Sequence, residues 1–128
     1  NKNKNKMTNH DMKLDTIYFD YILNKKKIYE TRVNDLKRQK IHLLDTVTFK
    51  DRGSKRTFKA IITELSYFVD FKSAIVDSGL KKVLPNAKSV NEGIKLYESF
   101  PHDEGTFKEG AKKYGVLRMK FNLVWIKK

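Results

Sequence analysis

The spacing of apolar positions changes several times along the chain, and each change marks an element. Met12–Leu14 is a short apolar-polar-apolar run that predicts a first strand. Ile17, Tyr18, Tyr21 and Ile22 then fall at helical spacing, which predicts a helix over 16–24 with these four on its buried face and Asp15 at its N-cap. Lys25, Lys26 and Lys27 follow, where cations suit the negative end of the helix dipole. Ile28–Val33 alternates and is rich in β-branched residues, so it reads as a strand. The polar, basic stretch 34–40 reads as a loop or short helical turn. Thr46–Lys50 and Thr57–Leu65 predict two strands, and Asp51, Arg52, Gly53 and Ser54 between them have the chemistry of a hairpin turn.

The second half is more helical. Asp70 opens a predicted helix that runs to about Asp77 and stops at Gly79. Leu80–Pro85 reads as a connector. Ser89 with Glu92 three residues on is a capping box for a helix that ends near Phe100 and Pro101. His102–Gly110 reads as a polar loop, and Pro101–Lys113 is long enough to cover a neighbouring cleft. Tyr114–Trp125 is the longest strand, with Val116, Arg118, Lys120 and Asn122 alternating against Leu117, Met119, Phe121 and Leu123. Trp125 is expected to pack as an anchor that closes the sheet. Strand, helix, three strands, two helices and a closing strand predict an α+β fold built on a small curved sheet or barrel.

Composition narrows the class. The 128 residues are 39% hydrophobic and 12% aromatic, enough for one domain with a genuine core. The formal net charge is +13, from 28 Lys and Arg against 15 Asp and Glu. The segment 1–6 alternates Asn and Lys and carries three of those charges, leaving +10. Residues 1–10 are expected to be a disordered low-complexity tail, with the domain over 11–128. The bias toward lysine over arginine is open to two readings. One is compositional drift; the other is attraction to a polyanion, and without a long basic amphipathic helix that means nucleic acid rather than a membrane surface. The absence of cysteine excludes disulfides, thiolate metal sites and cysteine nucleophiles. No run reaches the length of a membrane span, and no leader with an apolar core is visible, so an intracellular, cytoplasmic or nuclear protein is expected.

His10, His42 and His102 lack metal-ligand spacing, so neither a metal nor a cofactor is expected. Asp103 and Glu104 read as solvated loop residues. No phosphate-binding glycine loop or nucleophile elbow is present.

The densest chemistry lies between Asn24 and Ile41. Glu30 and Arg32 are two apart on a strand and point to one side, together with Ile28. Tyr29, Thr31 and Val33 take the other side. By itself such a pair is most often a solvated surface contact. Its setting is more informative. An apolar helix followed by Lys27, Glu30 and Arg32 at Lys-x-x-Glu-x-Arg spacing resembles the ASCH family, a branch of the PUA-like β-barrels. The resemblance continues through Asp35 and 37–41, through Asp45-Thr46-Val47-Thr48-Phe49, through Leu84-Pro85, the Ser89 helix and Tyr97, and into Lys113-Tyr114-Gly115-Val116-Leu117. It covers roughly 12–121. The family usually has glycine where Lys25 and Leu44 stand, and Asn24 is a candidate to adopt the left-handed conformation in place of the first.

The resemblance implies a PUA-like mixed barrel of about five to six strands, flanked by two to three helices, with a basic cleft for a nucleobase or RNA. The residue chemistry suits that role. Lys27 and Arg32 can meet phosphate or a base carbonyl, and Glu30 can accept from an exocyclic amine. Tyr29 or Tyr114 could stack on an unpaired base, and Lys37, Arg38 and Lys40 could follow the backbone of single-stranded RNA. A modified nucleotide is the other ligand implied, with the chain taken as a monomer. Some relatives are hydrolases acting on N4-acetylcytidine or on RNA. Lys27 and Glu30 would then be the catalytic pair, although the first of these groups has threonine where Glu30 stands. A third class is a protein-interaction adaptor with an acidic partner.

Overall fold

The computed structural model describes residues 7–127. The expected disorder of 1–6 lies outside the described residues. The elements run β1 (Asn9–Leu14), α1 (Thr16–Leu23), β2 (Tyr29–Val33), a 3-10 turn (Arg38–Lys40), β3 (Thr46–Asp51), β4 (Thr57–Phe68), α2 (Phe71–Ser78), α3 (Leu80–Val83), α4 (Val90–Ser99), β5 (Pro101–His102), β6 (Gly105–Thr106), α5 (Phe107–Tyr114) and β7 (Val116–Lys127). The architecture is a mixed α+β fold. One five-stranded sheet has the order β1-β3-β4-β7-β2, and β5 with β6 form a separate two-stranded ribbon. β1 runs parallel to β3, while the other neighbours are antiparallel.

Several expectations need correction. The tail does not extend to residue 10: Asn9 and His10 belong to β1, and the His10 ring meets Asp45 at 2.9 Å. The expected connector 80–85 contains α3, and the expected loop 102–110 is a short ribbon that leads into α5, so the described residues hold five α-helices rather than two or three. Its sequence hides the helix because Gly105 and Gly110 read as breakers. Yet Gly110 is helical, and a Cβ there would sit 3.0 Å from Val33, so the small residue lets α5 close on β2. Finally, the sheet is not a closed barrel, since β1 and β2 are free edges.

The core lies between the sheet and the helices. Phe19, Phe49 and Phe58 meet at ring separations of 5.0 and 4.9 Å, joining α1 to β3 and β4. On α1 the buried residues are Tyr18, Phe19 and Ile22, whereas Ile17 is exposed. The buried face is therefore turned by about half a position from the expected one. Asp15 holds the N-cap place without a side-chain cap bond and pairs with Arg52 instead. The other two predicted caps form: Asp70 accepts from the Ser73 amide at 2.8 Å and Ser89 from the Glu92 amide at 3.1 Å.

The β3–β4 hairpin is held from inside its turn. Buried Asp51 accepts from Thr16 Oγ1, the Gly53 amide, Ser54 Oγ and Arg56. These donors, led by Ser54 and Thr16, hold its carboxyl well below the usual carboxylate range.

β4 and β7 are each twelve residues long and pair along their length. β2 covers only Val116–Lys120 of β7. Over that stretch the first four residues are buried on both faces. Beyond it β7 has β4 on one side alone, and Trp125 is 41% exposed rather than a closing anchor.

Among the described residues two non-glycine residues have positive φ: Lys25 at 64° and Leu44 at 72°. Asn24 keeps φ −92°, so the left-handed position after α1 falls on Lys25 and not on Asn24. Asn24 and Lys25 both bond back into the last turn of α1, through their amides to Asp20 and Ile22. The turn is therefore completed one residue later than expected.

Candidate functional site

Lys27, Glu30 and Arg32 converge. The loop after α1 is pinned by the Ile28 amide, which donates to the Lys82 carbonyl at 2.8 Å. This turns Lys27 inward, so it leaves the helix end where its charge was expected to sit. Its Nζ donates to the Val83 carbonyl at 2.6 Å, stands 3.3 Å from Glu30 Oε1 and lies 5.8 Å from the centre of the Tyr18 ring. Glu30 Oε2 accepts from Arg32 Nε at 2.7 Å. Arg32 Nη2 then donates to the Lys13 carbonyl at 2.8 Å. Since Arg32 is on β2 and Lys13 on β1, this side chain spans the gap between the two free edges of the sheet.

The three charges are out of water, Lys27 and Glu30 almost completely. Burial opposes ionisation of Glu30, but Arg32 and Lys27 outweigh it and hold the carboxyl below its ordinary value. Burial acts the other way on Lys27 and lowers it from its ordinary value, only partly offset by Glu30. One carboxylate thus serves two cations, and the group carries a net positive charge.

A cavity of about 340 Å³ opens over these residues. That volume is at the small end of ligand pockets, the size for one small molecule or one nucleotide. Its floor is Lys27, Glu30 and Arg32, and its walls are aromatic. Tyr18 comes from α1, Tyr97 from α4, Phe100 from the end of α4 and Phe107 from α5. Tyr97 stacks on Phe71 at 4.8 Å, and Phe100 packs edge-on against Tyr18, Tyr97 and Phe107 at 6.1, 6.0 and 5.5 Å. The segment beginning at Pro101 reaches the cavity through Pro101 and Phe107.

Thr31 also lines the cavity, although the strand period turns it away from Glu30. β2 is an edge strand, so the cavity wraps its free side and meets residues of both faces. The Thr31 and Tyr97 hydroxyls are buried and reach hydrogen-bond geometry with no partner among the described residues, although they are close enough to influence one another. Burial, and then the Glu30 charge, push the Tyr97 phenol far above its ordinary value, so it is a neutral donor.

The remaining predicted residues are elsewhere. Tyr29 does not line the cavity, because its ring is occupied by the Arg118 guanidinium at 4.3 Å. Arg118 is itself held by Asp77 at 2.7 Å and Ser78 at 2.6 Å. Tyr114 packs on the core under Lys113 and is also outside the cavity. Arg38 stands close enough to Arg32 and Glu30 for their charges to reach it. Lys37 and Lys40 are exposed and do not line the cavity. The aromatic walls were not singled out as site residues in the sequence. The available signal was the three-residue spacing of Tyr97 and Phe100 at the end of the helix that Ser89 opens. Among the described residues no three His, Asp or Glu side chains are placed to hold a metal ion, and no helix is long and apolar enough to cross a membrane.

The fold and pocket define a small α+β protein with an aromatic, positively charged cavity at a sheet edge. Two solved structures share this architecture. Hypothetical protein PH0355, from Pyrococcus, is 32% identical over 91% of this chain and all of its own, with a TM-score of 0.78. The solution structure of protein PF0455 from Pyrococcus furiosus is 30% identical over 91% of this chain and 98% of its own, with a TM-score of 0.70. The chain belongs to one family with these proteins. No protein-family model matches the chain, and no curated protein matches it.

Proposed function

We propose that this chain is an ASCH-type, PUA-like domain that binds a nucleotide, free or within single-stranded RNA, in the cavity beside β2. The observation that carries this reading is the convergence of Lys27, Glu30 and Arg32 at the floor of a cavity walled by four aromatic rings. Aromatic walls suit the face of a base, the Glu30 carboxylate suits an exocyclic amine, and the two cations suit phosphate or a base carbonyl. The sheet, bridged from edge to edge by Arg32, is read as an open form of the PUA-like barrel.

Binding is favoured over hydrolysis by the same geometry. Lys27 Nζ is engaged by Val83 and Glu30, and Glu30 is engaged by both cations, so neither is free to attack or to take a proton.

The test is a titration with fluorescent single-stranded RNA at two salt concentrations. Binding that weakens with salt and is lost in a Lys27→Ala, Arg32→Ala double variant is expected. A thermal melt checks that the variant folds, and Thr31→Val probes the same cavity without removing a charge. A folded double variant that binds as well as the parent sinks the site. Incubation with N4-acetylcytidine and with labelled RNA tests the hydrolase reading, for which no product dependent on Glu30 is expected.

A further inference from the structure

A second cavity, of about 430 Å³, lies against the first. Lys13 and Arg52 line both, so they form the ridge between them. Beyond the ridge the second cavity is lined by the β3–β4 hairpin, with Lys50, Lys55 and Arg56 and one carboxylate, Asp51. Asp51 is committed inside the turn and to Arg56, which Asp20 also holds at 2.9 Å. The cations left over are Lys13, Lys50, Arg52 and Lys55, all exposed.

Their placement is unfavourable for the protein alone. Lys13 and Lys50 are direct partners in the pairing of β1 with β3, and like charges placed opposite each other on neighbouring strands destabilise a sheet. Two carboxylates compete for this row: Asp11 is 3.9 Å from Lys50 and Asp15 is 3.2 Å from Arg52, both largely exposed. Lys13 and Lys55 have no carboxylate partner among the described residues. A row of solvated lysines leading out of a pocket suits a chain of phosphates, which exposed cations bind mainly through charge.

We propose that the nucleotide in the pocket belongs to a single RNA strand whose backbone leaves over Lys13 and Arg52 and continues along Lys50 and Lys55 on the hairpin. This rests on the nucleotide reading of the pocket and adds that the ligand is a polymer, with a defined exit. It also moves the backbone track away from Lys37 and Lys40.

The experiment compares a nucleoside monophosphate with a mixed-sequence RNA hexamer on the parent and on a Lys50→Gln, Lys55→Gln variant. Both residues are on the surface, and losing Lys50 relieves its opposition to Lys13, so the variant is expected to melt at or slightly above the parent. The hexamer is expected to bind the parent at least tenfold more tightly than the monophosphate. The variant is expected to lose most of that gain and to bind the monophosphate unchanged. Its slope of log affinity against log salt is expected to be shallower by about 1.4, from two phosphate contacts at roughly 0.7 each on a single strand. Equal affinity for monophosphate and hexamer, or a variant that keeps both the gain and the slope, overturns the track and leaves the pocket standing. Failure of both ligands to bind the parent overturns the pocket reading itself. Hexamer binding that survives Lys27→Ala, Arg32→Ala but fails in the hairpin variant overturns the continuity between the two cavities.

Discussion

The Thr31 and Tyr97 hydroxyls allow stability and binding to be separated. Both residues are at most 3% exposed, and neither hydroxyl reaches full hydrogen-bond geometry with another described residue. A buried polar group left without a partner costs about 1–3 kcal/mol. The two hydroxyls lie near each other, which softens that cost, so the lower end applies. Tyr97→Phe keeps the ring stacked on Phe71 and removes only the oxygen, while Thr31→Val keeps the branched shape that a strand favours. Each single variant is expected to be more stable by about 1 kcal/mol, a rise of roughly 3–6 °C in Tm for a domain between 100 and 150 residues. The double variant is expected to gain close to the sum. Urea and thermal unfolding measure all three. If the hydroxyls were bonded to each other, each single change would orphan the other group and destabilise, and the double would recover. That pattern, a coupling of about 1 kcal/mol or more, would falsify the reasoning. RNA affinity is expected to move the other way, falling in both singles, because groups held unpaired beside a pocket are available to a ligand at a cost to the empty protein.

Glu30 is the one anion between two buried cations, so Glu30→Gln is expected to cost about 3–5 kcal/mol in chemical unfolding, with part recovered by adding Lys27→Met. The sign with pH follows from the lowered Glu30 value: its contribution is complete above the unfolded carboxyl range near pH 4 and is lost as pH falls through the lower folded value. Melts from pH 7 to pH 2 are therefore expected to show the parent losing stability more steeply than Glu30→Gln. Lys25→Gly is expected to stabilise by about 0.5–1 kcal/mol, since a left-handed non-glycine residue costs about 1–2 kcal/mol and glycine's extra freedom takes back about half. A loss of stability in Lys25→Gly would show that the side chain does more than tolerate its backbone. Gly115→Ala should destabilise by about 1–3 kcal/mol in the same assay, because φ 77° with ψ −167° is a region essentially restricted to glycine and the new Cβ would lie 3.1 Å from the Phe68 carbonyl oxygen.

Local signals suffice where a residue's neighbours in sequence are also its neighbours in space. Asp70 and Ser89 cap helices because an N-cap bond reaches only three residues along the chain. The β3–β4 hairpin forms where its turn chemistry lies. The spacing of Glu30 and Arg32 put them on one side of a strand, and they meet at 2.7 Å. Where long-range packing sets the outcome, local signals do not reach it. α5 keeps Gly110 in its interior because that residue must pass close to Val33, a contact absent from any local window. Trp125 is partly exposed because β2 ends short of it, and strand length gives no warning of where a partner strand stops.

Sequence alone determined the alternation of strands and helices, the excess of positive charge and the short set Lys27, Glu30 and Arg32. The first two follow from periodicity and composition, and strand spacing puts Glu30 beside Arg32, while Lys27 joins them only through the resemblance to the ASCH family. Tertiary structure decided what those residues face. Tyr18, Tyr97, Phe100 and Phe107 come from segments up to 89 positions apart and wall one cavity only because the helices pack on the edge strand β2. Tyr29, which looked available for stacking, is taken by an arginine from the far end of the chain. Lys27 changed most: beside two other lysines it reads as a solvated helix end, and only the close approach of α3 makes it a buried charge facing a single carboxylate.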